Sequence, residues 1–260
     1  DRAFARLAIT SPISFVIGGL AGGRIVEAWG DPALFQIMAV CWFLAGVAWL
    51  GVRDRHVPAE DVPTDRAPIS RPLVLFCAAI SIQSIAFQWS EIALPLRLSD
   101  LGFSLPFITS MYSVSNFVSI PAVILAGRYA GRVGNVNLLV GGILLFAICR
   151  FGLSMFDSRL EIIGLQAMTG LPAAFVHSIA AAVIAGLGSD RTVGSRMALL
   201  MMCGGVGGAL GGLAGGHLLS AFGASGLLVC SGIGLLGAAL FMWLFVGDPT
   251  RTEEDYARAA

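Results

Sequence analysis

The sequence consists mainly of apolar stretches of about 20 residues that follow one another from end to end. Such a stretch is long enough to cross the roughly 30 Å hydrocarbon core of a bilayer as a helix. Hydrophobic residues make up 57% of the chain and charged residues 12%, whereas charged residues are about a quarter of a soluble domain. Because the stretches are apolar nearly all round, the sequence predicts an all-α membrane protein.

We predict eight membrane-spanning helices. They cover residues 6–29, 31–52, 72–96, 105–127, 135–154, 158–188, 192–221 and 224–246. Most links between them are short, but residues 53–71 form a polar, proline-rich linker. The linker separates two helices in residues 1–52 from six helices in residues 72–247, and residues 248–260 form a polar tail.

A repeat relates the two ends of the chain. The hexapeptide GGLAGG occurs at 18–23 and at 211–216, and Gly30 and Gly223 follow at the same spacing. In the eight-helix arrangement both copies run in the same direction, as in parallel repeats about an axis along the membrane normal. We therefore interpret the first two helices as the last pair of one six-helix half, with four helices missing upstream. The start at Asp1 rather than Met agrees with this expectation.

The arginines predict the orientation. If the linker and the C-terminus face the cytoplasm, twelve of the 16 cationic residues lie on that side, which follows the positive-inside rule. The four arginines expected at the opposite side are Arg24, Arg97, Arg150 and Arg159. The net charge of zero indicates no general attraction to nucleic acid.

The loop GRYAGRVGNV at 127–136 resembles the GxxxDRxGRR motif of the major facilitator superfamily of transporters. Gly127, Arg132 and Gly134 match the motif, whereas Gly131 stands where the family has Asp and Asn135 where it has a basic residue. The stretches at 119–134 and 162–179, together with LPL at 94–96, are similar to bacterial sugar efflux transporters.

This resemblance implies eight helices of a twelve-helix, two-half (6+6) fold that lacks its four N-terminal helices. It implies a monomeric transporter of the bacterial inner membrane, with linker and C-terminus cytoplasmic, that exports a sugar in exchange for protons. One alternative is a multidrug exporter of the same fold, for which Phe87, Trp89, Met201 and Met202 would supply an apolar cavity. Another is a membrane scaffold or sensor that transports nothing.

Glu91 is the most unusual residue of the predicted helices, because a carboxylate within a membrane span is costly and marks a functional pathway. Ser84 and Gln88 share its helix face. We predict that this face lines a water-filled cavity, where Glu91 binds substrate hydroxyls or exchanges a proton. The alternative is that Glu91 pairs with Arg97 or lies near the outer headgroups.

Two further helices carry polar faces. Tyr112 and Asn116 share one face, and both suit a hydroxyl-rich ligand. Gln166 and Thr169 share a face of a later helix, with His177 close to it if the helix continues past its proline. His177 is a candidate for proton coupling because imidazole titrates near neutral pH. The alternative for all five is hydrogen bonding between helices.

The helix before Gly223 is rich in glycine. Gly204, Gly208, Gly212 and Gly216 recur every four residues, with Gly207, Gly211 and Gly215 beside them. Small residues at this spacing let another helix approach closely. We assign a conformational role to Gly208 and Gly212, and to Gly127 and Arg132 of the loop, during alternating access. The alternative is static packing.

The sequence shows no catalytic constellation, so we expect no enzyme activity. The 5 cysteines form no CxxC pair and lie within apolar stretches. We therefore expect no metal site and no cofactor. The expected partners are the lipid bilayer, protons and a small solute, either a sugar or a drug.

Overall fold

The computed structural model describes residues 2–51, 70–187 and 193–246, except for the side chains of 2–11, 49, 130–132 and 177. Its regular structure is helical. The helices are α1 (Arg2–Trp29), α2 (Asp31–Leu50), α3 (Arg71–Asp100), α4 (Leu105–Val133), α5 (Asn135–Met155), α6 (Arg159–Gly186) and α7 (Val193–Phe245). The helical stretches lie where the apolar pattern predicts them.

Six of the helices, α2 to α7, are long and apolar enough to cross a membrane. With 53 residues, α7 would be about 80 Å long if straight, far more than the hydrocarbon core requires. The helix is broken at Gly223, where φ is 69° and ψ is 179°. Its two arms, 193–222 and 224–245, are each long enough for one crossing. That α1 also crosses the membrane stays a prediction.

Gly30 and Gly223, which occupy equivalent positions of the repeat, both mark a break between helices. Their φ angles are 78° and 69°, in a region that glycine adopts without the steric cost of a side chain. The amide of Gly30 closes the last turn of α1 by donating to the carbonyl of Val26 at 2.8 Å, and α2 begins at Asp31. The repeat is therefore one of backbone geometry as well as of sequence.

Helices α3 to α7 pack into one bundle. Along most of its length α3 lies against α7, while α5 contacts both α6 and α7, and α4 contacts α6. The core includes Phe76, Leu139, Ile143 and Leu235, all with side chains almost fully buried. These contacts bring α3, α5, α6 and α7 together around a common interior.

The first two helices are attached to this bundle mainly through α1, which packs along α4. A Cβ atom on Gly23 would lie 2.6 Å from Cα of Pro106, and one on Gly19 would lie 2.8 Å from the carbonyl oxygen of Thr109. None of the residues 31–48 in α2 is buried in the described structure. The predicted linker at 53–71 consists largely of residues that the structure does not describe. The division of the chain into domains at this linker therefore stays a prediction.

The glycine face of α7 that meets α3 consists of Gly207, Gly211 and Gly215. A Cβ on Gly211 would lie 2.7 Å from the carbonyl oxygen of Ile85. By contrast, a Cβ on Gly212 would meet no atom within 4 Å. The close helix packing is thus made by Gly207, Gly211 and Gly215 and not by the predicted residues Gly208 and Gly212. Each pair of adjacent glycines places one glycine on either of two neighbouring helix faces, and only one of these faces meets α3.

Candidate functional site

An ion pair joins α3 and α5 inside the bundle. Oε1 of Glu91 lies 3.9 Å from Nη2 of Arg150. The Arg150 side chain is 2% exposed and that of Glu91 30% exposed. The guanidinium lies over the ring of Phe146, 4.5 Å from its centroid. An almost fully buried cation therefore meets a partly exposed anion between α3 and α5.

Arg150 takes part in a contact that the sequence does not predict. The distribution of arginine places Arg150 on the side of the membrane opposite the linker, and in the structure its side chain is buried within the bundle. Arg150 lies five residues before the end of α5, so its long side chain can either extend to the surface or turn inward. The sequence feature that indicates a cation within the bundle is Glu91, since a carboxylate in a membrane span needs a cation beside it.

Arg97, the alternative partner of Glu91, bonds elsewhere. Its Nη2 lies 2.6 Å from Oδ1 of Asp157, and its Nε donates to the carbonyl of Leu153 at 2.9 Å. Its Nη1 donates to Oγ of Ser225. Arg97 thus ties the end of α3 to the α5–α6 turn and to the second arm of α7.

The side chain of Tyr112, on α4, is half-buried and lies in the neighbourhood of Glu91 and Arg150. Asn116 lies one turn further along, and its Nδ2 donates to the carbonyl of Tyr112 at 2.8 Å. The amide donor of Asn116 is therefore used within its own helix.

The predicted polar residues of α6 are buried. Gln166 and Thr169 are each 2% exposed, and Oγ1 of Thr169 donates to the carbonyl of Gln166 at 2.7 Å. Among the described residues, Oε1 of Gln166 has no hydrogen-bond partner. The side chains of His177 and Arg132 lie outside the description.

A cavity of about 340 Å³ lies between α3, α5, α6 and α7. Apolar side chains make up most of its lining, among them Phe87, Phe146, Leu200 and Met201. The polar side chains that line it are those of Gln83 and Ser84. Of these two residues, Ser84 is a predicted ligand-binding residue. Since Phe146 lines the cavity and also lies under Arg150, the ion pair is one aromatic ring from the cavity.

Gln88 and Trp89 face α7. A Cβ on Gly211 would lie 2.8 Å from Cβ of Gln88, and one on Gly215 would lie 3.2 Å from Cδ1 of Trp89. The Gln88 amide is near Gly208, whose added Cβ would lie 3.8 Å from Oε1. Trp89 therefore packs between helices.

The predicted conformational residue Gly127 is exposed on α4, and a Cβ added there would meet no atom within 4 Å. Of the predicted site residues, Glu91 pairs with Arg150, and Tyr112 lies in their neighbourhood. Ser84 lies apart from them at the cavity.

Long apolar helices in one bundle, with a charged pair in its interior, define the class of multi-pass membrane proteins. The Major Facilitator Superfamily matches residues 73–260, and the chain belongs to this superfamily. No curated protein matches the chain. Members of the superfamily are secondary transporters of small solutes and not enzymes, so transport across a membrane is the function class of this protein.

Proposed function

We propose that the protein works by alternating access and that the Glu91–Arg150 pair lies in the path of the solute and of a coupled proton. The pair itself carries this proposal. Each buried ion costs several kcal/mol of desolvation, roughly, and a static pair regains this free energy only with close, hydrogen-bonded contacts. At 3.9 Å the contact is beyond hydrogen-bond distance. A loose pair of this kind suits a carboxylate that gains and loses a proton during the cycle.

We further propose that α1 and α2 belong to one half of a twelve-helix transporter and that α3 to α7 form the other half. The parallel repeat, the matched φ angles of Gly30 and Gly223 and the exposure of α2 support this arrangement. The protein would be a monomer of the bacterial inner membrane. Residues 53–71 and the C-terminus would be cytoplasmic, an orientation that the distribution of arginine favours.

Proton-coupled sugar efflux is the first candidate for the solute. The sequence resemblance favours it, and hydroxyl, amide and carboxylate groups for a sugar would come from Ser84, Gln88, Glu91, Tyr112, Asn116, Gln166 and Thr169. One observation favours the second candidate, export of a drug-like solute. The cavity is lined mostly by apolar side chains, including Phe87, Phe146 and Met201, as is usual for sites that bind apolar ligands.

A retention assay tests the function and separates the two candidates. Cells that express the full-length protein are loaded with a labelled sugar analogue or with a labelled aromatic compound. We expect cells with the protein to lose one of the two compounds faster than cells without it. Cells with Glu91→Gln should lose that compound no faster than cells without the protein. Glu161→Gln, which changes an exposed carboxylate at the start of α6, is the matched control. Equal retention of both compounds in all cells would contradict efflux.

A further inference from the structure

Arg150 has more hydrogen-bonding capacity than its surroundings use. A guanidinium carries five N–H donors, and this one is 2% exposed. Nε and Nη1 are buried and have no hydrogen-bond partner among the described residues. Leaving buried charged donors without acceptors costs free energy, so such donors point to an acceptor that binds there.

The geometry of the guanidinium defines the kind of acceptor. Carboxylates bind guanidinium groups through two parallel hydrogen bonds, either at the edge formed by Nε and Nη2 or at the edge formed by Nη1 and Nη2. The contact between Glu91 and the guanidinium is at Nη2, 3.9 Å away, which is too far for a hydrogen bond. Glu91 therefore forms no pair of hydrogen bonds with either edge of the guanidinium. A planar group with two oxygens, such as a second carboxylate, can form such a pair at either edge.

The neighbouring cavity defines the rest of the ligand. Phe146 lies under Arg150 and also lines the apolar cavity, where Phe87 packs edge-to-face against it with ring centroids 5.5 Å apart. A solute bound across Phe146 could place an apolar body in the cavity and an acidic group at the guanidinium. A neutral sugar offers no such acidic group.

We propose that Arg150 binds the carboxylate of an amphipathic organic acid, whose apolar part occupies the cavity beside Phe146. This inference rests on the proposed transport function and names the substrate class. Glu91 and the ligand then compete for one guanidinium, since two carboxylates beside one cation would leave an excess negative charge in an environment of low dielectric constant. Removal of the Glu91 carboxylate is therefore expected to strengthen binding of the acid.

Thermal unfolding of the purified chain in detergent tests the anion site without any need for transport. The midpoint is measured in sodium acetate and in sodium chloride of equal ionic strength. For Glu91→Gln we expect acetate to raise the midpoint by a few degrees, since a ligand bound to the folded state stabilises it. The double variant Glu91→Gln/Arg150→Gln should respond equally to both salts. An equal response of the single variant would overturn the site.

Titration of the unaltered protein tests the substrate class and does not depend on the variants folding. The probes are 3-phenylpropionate and its neutral amide, 3-phenylpropionamide. We expect the acid to bind about tenfold tighter or more, the usual gain from charge-assisted hydrogen bonds. Equal affinities, or binding of neither probe, would overturn the proposal. Acid binding without efflux from cells would refute the transport function alone, and efflux without acid binding would refute this inference alone.

Discussion

Glu91 and Arg150 depend on each other for their stability in the bundle. Their side chains are 30% and 2% exposed, so removal of the carboxylate leaves an almost fully buried cation without its anion. Breaking a fully buried pair costs about 3–5 kcal/mol. The partial exposure of Glu91 and the 3.9 Å separation lower the cost expected here.

A double-mutant cycle measures this dependence. We expect Glu91→Gln and Arg150→Gln each to lower the free energy of unfolding by about 1–3 kcal/mol. The double variant should lose less than the sum of the two, because it leaves no unpaired charge. The measurement is the unfolding of each purified chain in detergent. Additive losses would show that the two side chains do not interact.

The sequence singles out Glu91 but not its ion-pair partner Arg150, for a physical reason. A carboxylate within a predicted span is costly to bury, so Glu91 stands out at once. An arginine five residues from a helix end can either extend to the headgroups or turn inward, and the sequence does not distinguish these positions. The choice depends on which face of α5 meets α3, which only packing decides.

At the scale of the elements, helix positions follow from the apolar stretches and from the glycines and polar links between them. The contacts between helices are less predictable. In α7, the glycines Gly207, Gly211 and Gly215 meet α3, whereas Gly212 meets nothing within 4 Å in the described structure. Both glycine faces have the same composition and the same period, so the sequence alone gives no reason to prefer one.

Alanine substitutions distinguish the two faces. Alanine is favoured over glycine in a helix by about 1 kcal/mol, so Gly212→Ala should leave the unfolding midpoint unchanged or raise it. Gly211→Ala should lower the midpoint, because its Cβ would lie 2.7 Å from the carbonyl oxygen of Ile85. The midpoints are compared in the same detergent. A fall with Gly212→Ala and none with Gly211→Ala would contradict the packing.

A similar pair of substitutions tests the contact between α1 and α4. Gly23→Leu should lower the free energy of unfolding by about 1–3 kcal/mol, as overpacked sites usually do, because a Cβ there would lie 2.6 Å from Cα of Pro106. Gly22→Leu is the control, since a Cβ on Gly22 meets no atom within 4 Å. Equal effects in the purified chain would show that α1 does not pack on α4 as described.

For the whole molecule, the superfamily match gives the class of function, transport across a membrane. The cavity and the ion pair could not be predicted from the sequence, because both combine side chains from several helices. Ser84 lines the cavity and Glu91 reaches Arg150, although the two share one predicted face of α3.

The two-half arrangement predicts that these 260 residues do not transport by themselves, because alternating access requires both halves to enclose the solute. Liposomes that contain only this chain should take up no more labelled solute than empty liposomes, while liposomes with the full-length protein should take up more. Uptake by the 260-residue chain alone would contradict the proposed arrangement.

We propose that Glu91 couples a proton to movement of the solute. The most direct measurement places the full-length protein in liposomes with a pH-sensitive dye inside and applies a gradient of the compound that cells export. We expect proton movement opposite to the solute with the unaltered protein and with Glu161→Gln, and none with Glu91→Gln. Unchanged solute and proton fluxes in Glu91→Gln would contradict it.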